Sequence, residues 1–208
     1  MDVIISIADE SHIKYTEEIS NMMAEAAQAR GTGIAKRSPQ YLTDKITQGK
    51  AVIALSKDKL AGFCYIESWG HDQYVANSGL IVHPSFRRTG LAKKIKKKIF
   101  ELSRVKYPDA KIFGITTSLA VMKINSELGY KPVTFSELTE DDSFWKGCQS
   151  CKNYDILQRT KRSHCLCTGM LYHPDNKPAK PTNGNAKRWE RFKNFLKRNA
   201  SKKFKDEK

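Results

Sequence analysis

The stretch SFRRTGLAKKI, Ser85–Ile95, follows an apolar run, SGLIVHP, at Ser78–Pro84. Two arginines and a glycine stand between the end of a predicted strand and the start of a basic helix. A loop that leaves a strand and enters a helix gathers several unpaired N–H groups at one point, and the helix dipole adds partial positive charge there. Such a point holds a phosphate. Gly90 permits close approach, and Arg87 and Arg88 add full charges suited to a pyrophosphate. A capped helix with solvated Lys and Arg side chains fits the same residues, so the elements around the loop must decide.

Those elements can be read from periodicity. DVIISIAD alternates and is β-branched, which predicts a first strand. YTEEISNMMAEAAQAR places Ile19, Met22, Met23 and Ala26 on one helical face, ended by Gly31–Gly33. Ser38-Pro39 carries the cap-plus-proline signature of a second helix through Ile46. AVIALSKDKLAGFCYIE predicts a hairpin, and YVANSGLIVHP the next strand. A helix from Gly90 to about Val105 would bury Leu91, Ile95, Ile99 and Leu102. KIFGITT predicts a buried strand, LAVMKINSELGY a helix closed near Gly129, and PVTFSEL and CLCTGMLY two last strands. The order β-α-α-β-β-β-α-β-α-β-β lacks the strict alternation and the G-x-G-x-x-G loop of an open dinucleotide-binding sheet.

Arg87-Arg88-Thr89-Gly90-Leu91-Ala92 after a strand ending in VHP resembles the R-x-x-G-x-G/A loop of the GNAT superfamily of acyl-CoA N-acyltransferases. The order of elements is similar over roughly residues 3–173. The resemblance implies an α+β GNAT fold, a mixed, mostly antiparallel sheet flanked by helices, with acetyl-CoA or another acyl-CoA as co-substrate. It implies that Arg87, Arg88, Thr89, Gly90, Leu91 and Ala92 cradle the pyrophosphate of coenzyme A. Lys93 and Lys94 either reach its 3′-phosphate or stand in solvent. The strand ends at Leu80, Ile81 and Val82 would bind pantetheine and polarise the thioester carbonyl through their backbone. Where many members place a proton-donating tyrosine, this sequence has Asn125, which donates a hydrogen bond but supplies no proton. The strand position that often carries a glutamate base is Ala76, which leaves Glu67 as the replacement base, with His71 and His83 as further candidates.

TGIAKRSPQYLTDKI, Thr32–Ile46, resembles a stretch of the N-acetylglutamate synthases that reads roughly G-I-x-x-R-R-S-x-x-x-L-x-x-x-I. Thr116–Ser118, Glu127–Leu138 and YDILQRTKRSH are similar to further segments of those enzymes, the last to their C-terminal strand approach. The resemblance implies a small-molecule amine acceptor, an amino acid such as glutamate, and a place in arginine biosynthesis as a stand-alone catalytic form. Lys36, Arg37 and Ser38, with Thr117 and Ser118, would bind that acceptor; Ser38 also fits a helix cap. The family's arginine after the threonine pair is Ser118 here. Polyamine or protein amines, and a binding module without catalysis that uses its basic tail on nucleic acid, are the alternatives.

Cys148-x2-Cys151-x13-Cys165-x-Cys167 supplies the four thiolates of a tetrahedral structural zinc, or two pairs of small packed thiols. Cys165 and Cys167, two apart on a predicted strand, would share one face. The 208 residues carry a formal net charge of +15. Twelve Lys/Arg and three Asp/Glu of that balance lie in 176–208. A GNAT domain is therefore expected over 1–173 and a basic linker with an amphipathic tail over 174–208, where Trp189, Phe192, Phe195 and Leu196 share a face. That face could dock on its own domain, on a second copy in a homodimer, on a partner, a membrane surface or nucleic acid. No leader or membrane-spanning run is evident, and the cysteine usage suits a cytoplasmic protein.

Overall fold

The structure, a computed structural model, describes residues 2–30 and 37–175. The basic tail, Lys36 and the expected helix end at Gly31–Gly33 lie outside the described residues. Seven strands, β1 (Ile4–Ile7), β2 (Ala51–Ser56), β3 (Lys59–Trp69), β4 (Tyr74–Val82), β5 (Lys111–Thr116), β6 (Lys131–Val133) and β7 (Thr168–Tyr172), form one sheet. Their spatial order is β1-β2-β3-β4-β5-β7-β6. Every neighbouring pair is antiparallel except β4–β5. The helices are α1 (Thr16–Arg30), α2 (Pro39–Thr47), α3 (Leu91–Lys106), α4 (Leu119–Glu127), α5 (Asp142–Lys146) and α6 (Tyr154–Arg159). This is the expected order with two short helices added before the last strand. None of the described helices is long and apolar enough to cross a membrane.

Alternation along β3 sorts the core into two faces. Phe63 and Tyr65 pack with Ile19 and Met23 of α1 and Leu42 and Ile46 of α2. Cys64 and Ile66 turn to the other face and pack with Leu91, Ile95, Ile99 and Leu102 of α3. The apolar stripe of α3 is thus the one its spacing predicted. A third cluster, with Phe113, Phe135, Trp145 and Leu157, covers the β5–β7 end.

The end of the chain departs from the expected strands. PVTFSEL is strand only over β6; Thr134 and Glu137 then form a reciprocal capping box around the 3-10 turn Phe135–Glu137. The T-x-x-E spacing that makes the box was present in the sequence. CLCTGMLY becomes strand only from Thr168, because its partner β5 ends at Thr116, which pairs with Thr168. Cys165 and Cys167 therefore precede β7 and have no strand alternation to align them. YDILQRTKRSH, on the approach to that strand, holds α6.

The sheet has two register shifts, one in β2–β3 between Ala54 and Leu55 and one in β3–β4 beside the site. Phe63 pairs with Ile81 but Tyr65 pairs with Ser78, so β4 carries one extra residue at Gly79–Leu80. Gly79 has φ +64. A Cβ placed there would stand 2.3 Å from Tyr65 Cε1 and 2.4 Å from Met23 Cε. Only glycine meets both demands. Parallel pairing of β4 with β5 covers Tyr74, Val75 and Ala76 alone, and both strands run on without each other. The sheet is open between them from Asn77 onward.

Gly79→Ala should cost about 2 kcal/mol or more, from strain and overpacking together. Urea denaturation should show a lower midpoint with an unchanged slope; a midpoint equal to the parent's would mean the bulge is relaxed.

Candidate functional site

The loop from Ser85 to Ala92 makes the strand-to-helix turn that the sequence suggests. Pro84–Phe86 makes a 3-10 turn, Arg88 is left-handed at φ +64, and Gly90 caps α3 at φ +78. Thr89 Oγ1 donates to Phe86 O at 2.7 Å, and Arg87 Nε donates to Val82 O at 3.2 Å, tying the loop to the end of β4. Lys93 N–H and Lys94 N–H donate to Gly90 O. The N–H groups of Gly90, Leu91 and Ala92 have no partner among the described residues, as a helix start requires. A Cβ on Gly90 would meet nothing within 4 Å, so open space lies beside it. Arg87, Arg88 and Lys94 are exposed, while Leu91 anchors the helix in the core. Lys93 pairs with Glu127 of α4 at 2.7 Å, which sets α3 and α4 side by side. Leu80, Ile81 and Val82 follow the bulge, bordering the opening.

On the opposite face lies a cleft of about 700 Å3, lined by Arg37, Tyr41, Glu67, Trp69, Asp72 and Asp141 among others. Arg37 Nε donates to Tyr65 Oη at 2.9 Å, and its guanidinium stands over the Tyr41 ring. The ammonium of Lys45 covers the same ring and reaches Glu67 Oε2 at 3.0 Å. Glu67 Oε1 is buried without a partner. Burial pushes the Glu67 carboxyl up to about 7, against the pull of the Arg37 charge. Burial, with Lys50 and Arg37 nearby, lowers the Lys45 ammonium. A carboxyl near neutrality that keeps one lone pair free is suited to accept a proton.

Other expected residues divide. Ser38 caps α2, its hydroxyl accepting from Tyr41 N–H at 3.2 Å. Thr117 and Ser118 sit at the end of β5, where Ser118 caps α4; neither lines the cleft that holds Arg37 and Glu67. Asn125 is buried on the α3 side with Oδ1 unpartnered. Glu67 and Asn125 thus lie on opposite faces of the sheet, with the opening of β4 from β5 between those faces. His71 lines the cleft rim, while His83 accepts from Ser85 N–H in the loop. Lys45 was missed by sequence reading; its signal was a lysine four residues after Tyr41, on the helix side that holds Leu42 and Ile46 to the sheet.

The four cysteines of 148–167 are free and half-buried, and three of them touch the aromatic cluster around Trp145. Burial and neighbouring thiols raise Cys148 to about 11 and Cys167 to about 12. Among the described residues no set of three or more His, Cys, Asp or Glu side chains is disposed to hold a metal ion. The zinc expected from the spacing gains no support from this arrangement.

Residues 20–113 match the model of the acetyltransferase (GNAT) family. The chain carries a GNAT acetyltransferase domain. Solved structures share its fold. N-acetylglutamate synthase of Neisseria gonorrhoeae, complexed with coenzyme A and N-acetyl-glutamate, aligns over 85% of this chain at 16% identity and TM-score 0.59. The chain spans 36% of the length of that synthase chain. The protein yncA of Salmonella typhimurium, with its cofactor acetyl-CoA, aligns over 88% of this chain and 99% of its own at 12% identity and TM-score 0.58. The ribosomal-protein-S18-alanine N-acetyltransferase of Escherichia coli covers 86% of this chain and 98% of its own at 10% identity and TM-score 0.52. No curated protein matches the chain in sequence.

The raised Glu67 carboxyl makes the folded state bind more protons than the unfolded chain between its ordinary 4.5 and about 7. Its contribution to stability therefore falls as pH rises through that window. Glu67→Gln should gain stability relative to the parent from pH 4.5 to 7. Parallel pH dependences in chemical denaturation would show an ordinary carboxyl.

Proposed function

We propose that the domain transfers an acyl group, acetyl or a longer one such as succinyl, from acyl-CoA to the amino group of a free amino acid, glutamate first. The observation that carries this reading is the opening between β4 and β5, with a phosphate loop at the end of β4 and a charged cleft on the opposite face. Coenzyme A would lie with its pyrophosphate on Arg87–Ala92 and its thioester at the opening, where the backbone of Leu80, Ile81 and Val82 holds pantetheine. The cleft offers both signs of charge, which suits an acceptor that has an ammonium and carboxylates. Arg37, with Lys36 beside it in the chain and Ser38 at the start of α2, would take a carboxylate. An α-amino group has a pKa of about 7.7–8.0, so a useful fraction is neutral near pH 7. Glu67 would accept the surplus proton as nitrogen attacks. Holding the amine against the thioester can contribute about 7–11 kcal/mol to the acceleration.

A glutamate acceptor would place the chain in arginine biosynthesis. The acidic lining, Asp72 and Asp141 beside Glu67, supports a polyamine as the second reading. Zinc at Cys148, Cys151, Cys165 and Cys167 is carried by their spacing alone, and native mass spectrometry of the purified protein and of Cys165→Ser decides it.

Two measurements test the function. Arg87→Glu combined with Arg88→Glu should weaken acetyl-CoA binding at least tenfold in calorimetry with an unchanged melting temperature, since both side chains are exposed. Equal affinity would remove the loop from the cofactor site. A thiol-release assay of acetyl- and succinyl-CoA against amino acids, polyamines and aminoglycosides should show turnover of glutamate; release with a polyamine and none with glutamate would overturn the acceptor.

A further inference from the structure

Helix α3 buries one charge that has no counter-ion among the described residues. Lys96 is 3% exposed, on the same inward face as Ile99 and Ser103. Its ammonium reaches Asn77 O at 3.5 Å and stands 5.4 Å from the centre of the Tyr130 ring. Among the described residues no carboxylate pairs with it: Glu127, on the adjacent helix α4, pairs with Lys93 instead. The groups that face it are Cys64 from β3, Asn77 from β4, Ser103 from α3 itself and Tyr130 beyond α4, and none carries a negative charge near neutral pH. An ammonium has three protons to donate, and only one of them has a protein acceptor here. Burying an unpaired charge costs folding stability that its one hydrogen bond does not offset.

The surroundings show where it is needed. Asn77 is the first residue of β4 past the last β4–β5 pair, so it stands at the mouth of the opening. Its side chain is held from two sides: Nδ2 donates to Ser103 Oγ at 2.7 Å, and Oδ1 accepts from Tyr130 Oη at 3.2 Å. Tyr130 N–H donates in turn to Asn125 O, and Asn125 Oδ1 is buried without a partner. The Tyr130 hydroxyl is committed to Asn77, and burial raises it well above the ordinary tyrosine value. Asn125 has no proton to release. Lys96 is the group here with unspent protons.

We propose that Lys96 is the proton donor to the thiolate of coenzyme A, a reading that rests on the acyl-CoA function proposed above. As the amine nitrogen bonds to the acyl carbon, the carbon–sulfur bond breaks and its electron pair stays on sulfur. Lys96 gives that sulfur a proton and becomes a neutral amine. The surplus proton of the attacking nitrogen goes to Glu67 on the other face. Lys96 regains a proton from water as the free thiol departs. Burial lowers the Lys96 ammonium to about 8, which brings its proton affinity close to that of a thiol.

The first measurement uses coenzyme A itself and needs no acceptor. The pKa of the bound thiol is read from thiolate ultraviolet absorbance, with desulfo-coenzyme A as the blank for the protein's own groups. A neighbouring ammonium favours the thiolate, so Lys96→Met should raise the bound thiol pKa by about one unit, a tenfold drop in thiolate at fixed pH. Lys96→Arg keeps the charge and should leave that pKa low, while slowing turnover because arginine does not release its proton. Lys96→Met should also melt at a higher temperature than the parent when ligand-free; if it fails to fold, Lys96→Gln is titrated in its place. An unshifted thiol pKa in a variant that still binds coenzyme A overturns the proposal. So does outright loss of coenzyme A binding in a folded variant, which would make Lys96 part of the cofactor grip. Failure of the parent protein to bind coenzyme A would instead overturn the acyl-CoA reading beneath it.

Discussion

Three residue pairs join β4 to β5, and the site depends on the pairing stopping there. Further parallel pairing would close the sheet and leave the α3 face and the α1–α2 face without a passage. The extra residue at Gly79–Leu80 works to the same end, since a bulge bends its strand and raises the local twist. It also resets alternation, so the residues that follow it present a different set of backbone and side-chain groups to the opening. The loop into α3 starts at the end of that displaced strand, and Arg87 is tied back to Val82. The position of α3, the direction of its exposed N–H groups and the placement of Lys96 all follow from where β4 ends.

Much of the first two thirds of the fold was legible because burial there obeys simple periods. Leu91, Ile95, Ile99 and Leu102 face the core as a 3.6-residue stripe should. Ser38-Pro39 starts α2 as its cap chemistry dictates. The turn into α3 was legible for a related reason: glycine and arginine at a strand-to-helix junction restrict what the backbone and its charge can do. From Lys131 onward the periods fail. Short apolar runs such as PVTFSEL satisfy strand and turn equally, and the choice is made by partners elsewhere, here the length of β5 and the Thr134–Glu137 box.

The site was legible by residue type more than by geometry. Glu67 stood out as the acid nearest the strand end, yet its unpartnered oxygen comes from burial against Lys45 and the cleft wall. Lys96 looked like one of the five solvated lysines in the run Lys93–Lys98. Its place one residue after Ile95, and three and seven before Ile99 and Ser103, was the signal that it turns inward. Charge run and core stripe overlapped there, and a composition-based reading favours the surface. The cysteine spacing suggested ligands, but spacing along a chain fixes distances only when the segment is regular, and 148–167 is built of short helices and turns.

The two left-handed glycines flanking the opening differ in what surrounds them. At Gly79 a methyl group would strike Tyr65 and Met23; at Gly90 it would meet empty space. Substitution at the first position is felt by the chain before any ligand arrives, as a smaller yield of folded molecules. At the second, the molecule pays only a local conformational penalty, and the vacant volume is lost to whatever oxygen would have occupied it. Natural variation at these two sites would therefore be filtered at different stages: one during biogenesis, the other, on the cofactor reading proposed above, only when acyl-CoA is scarce enough for occupancy to limit the cell.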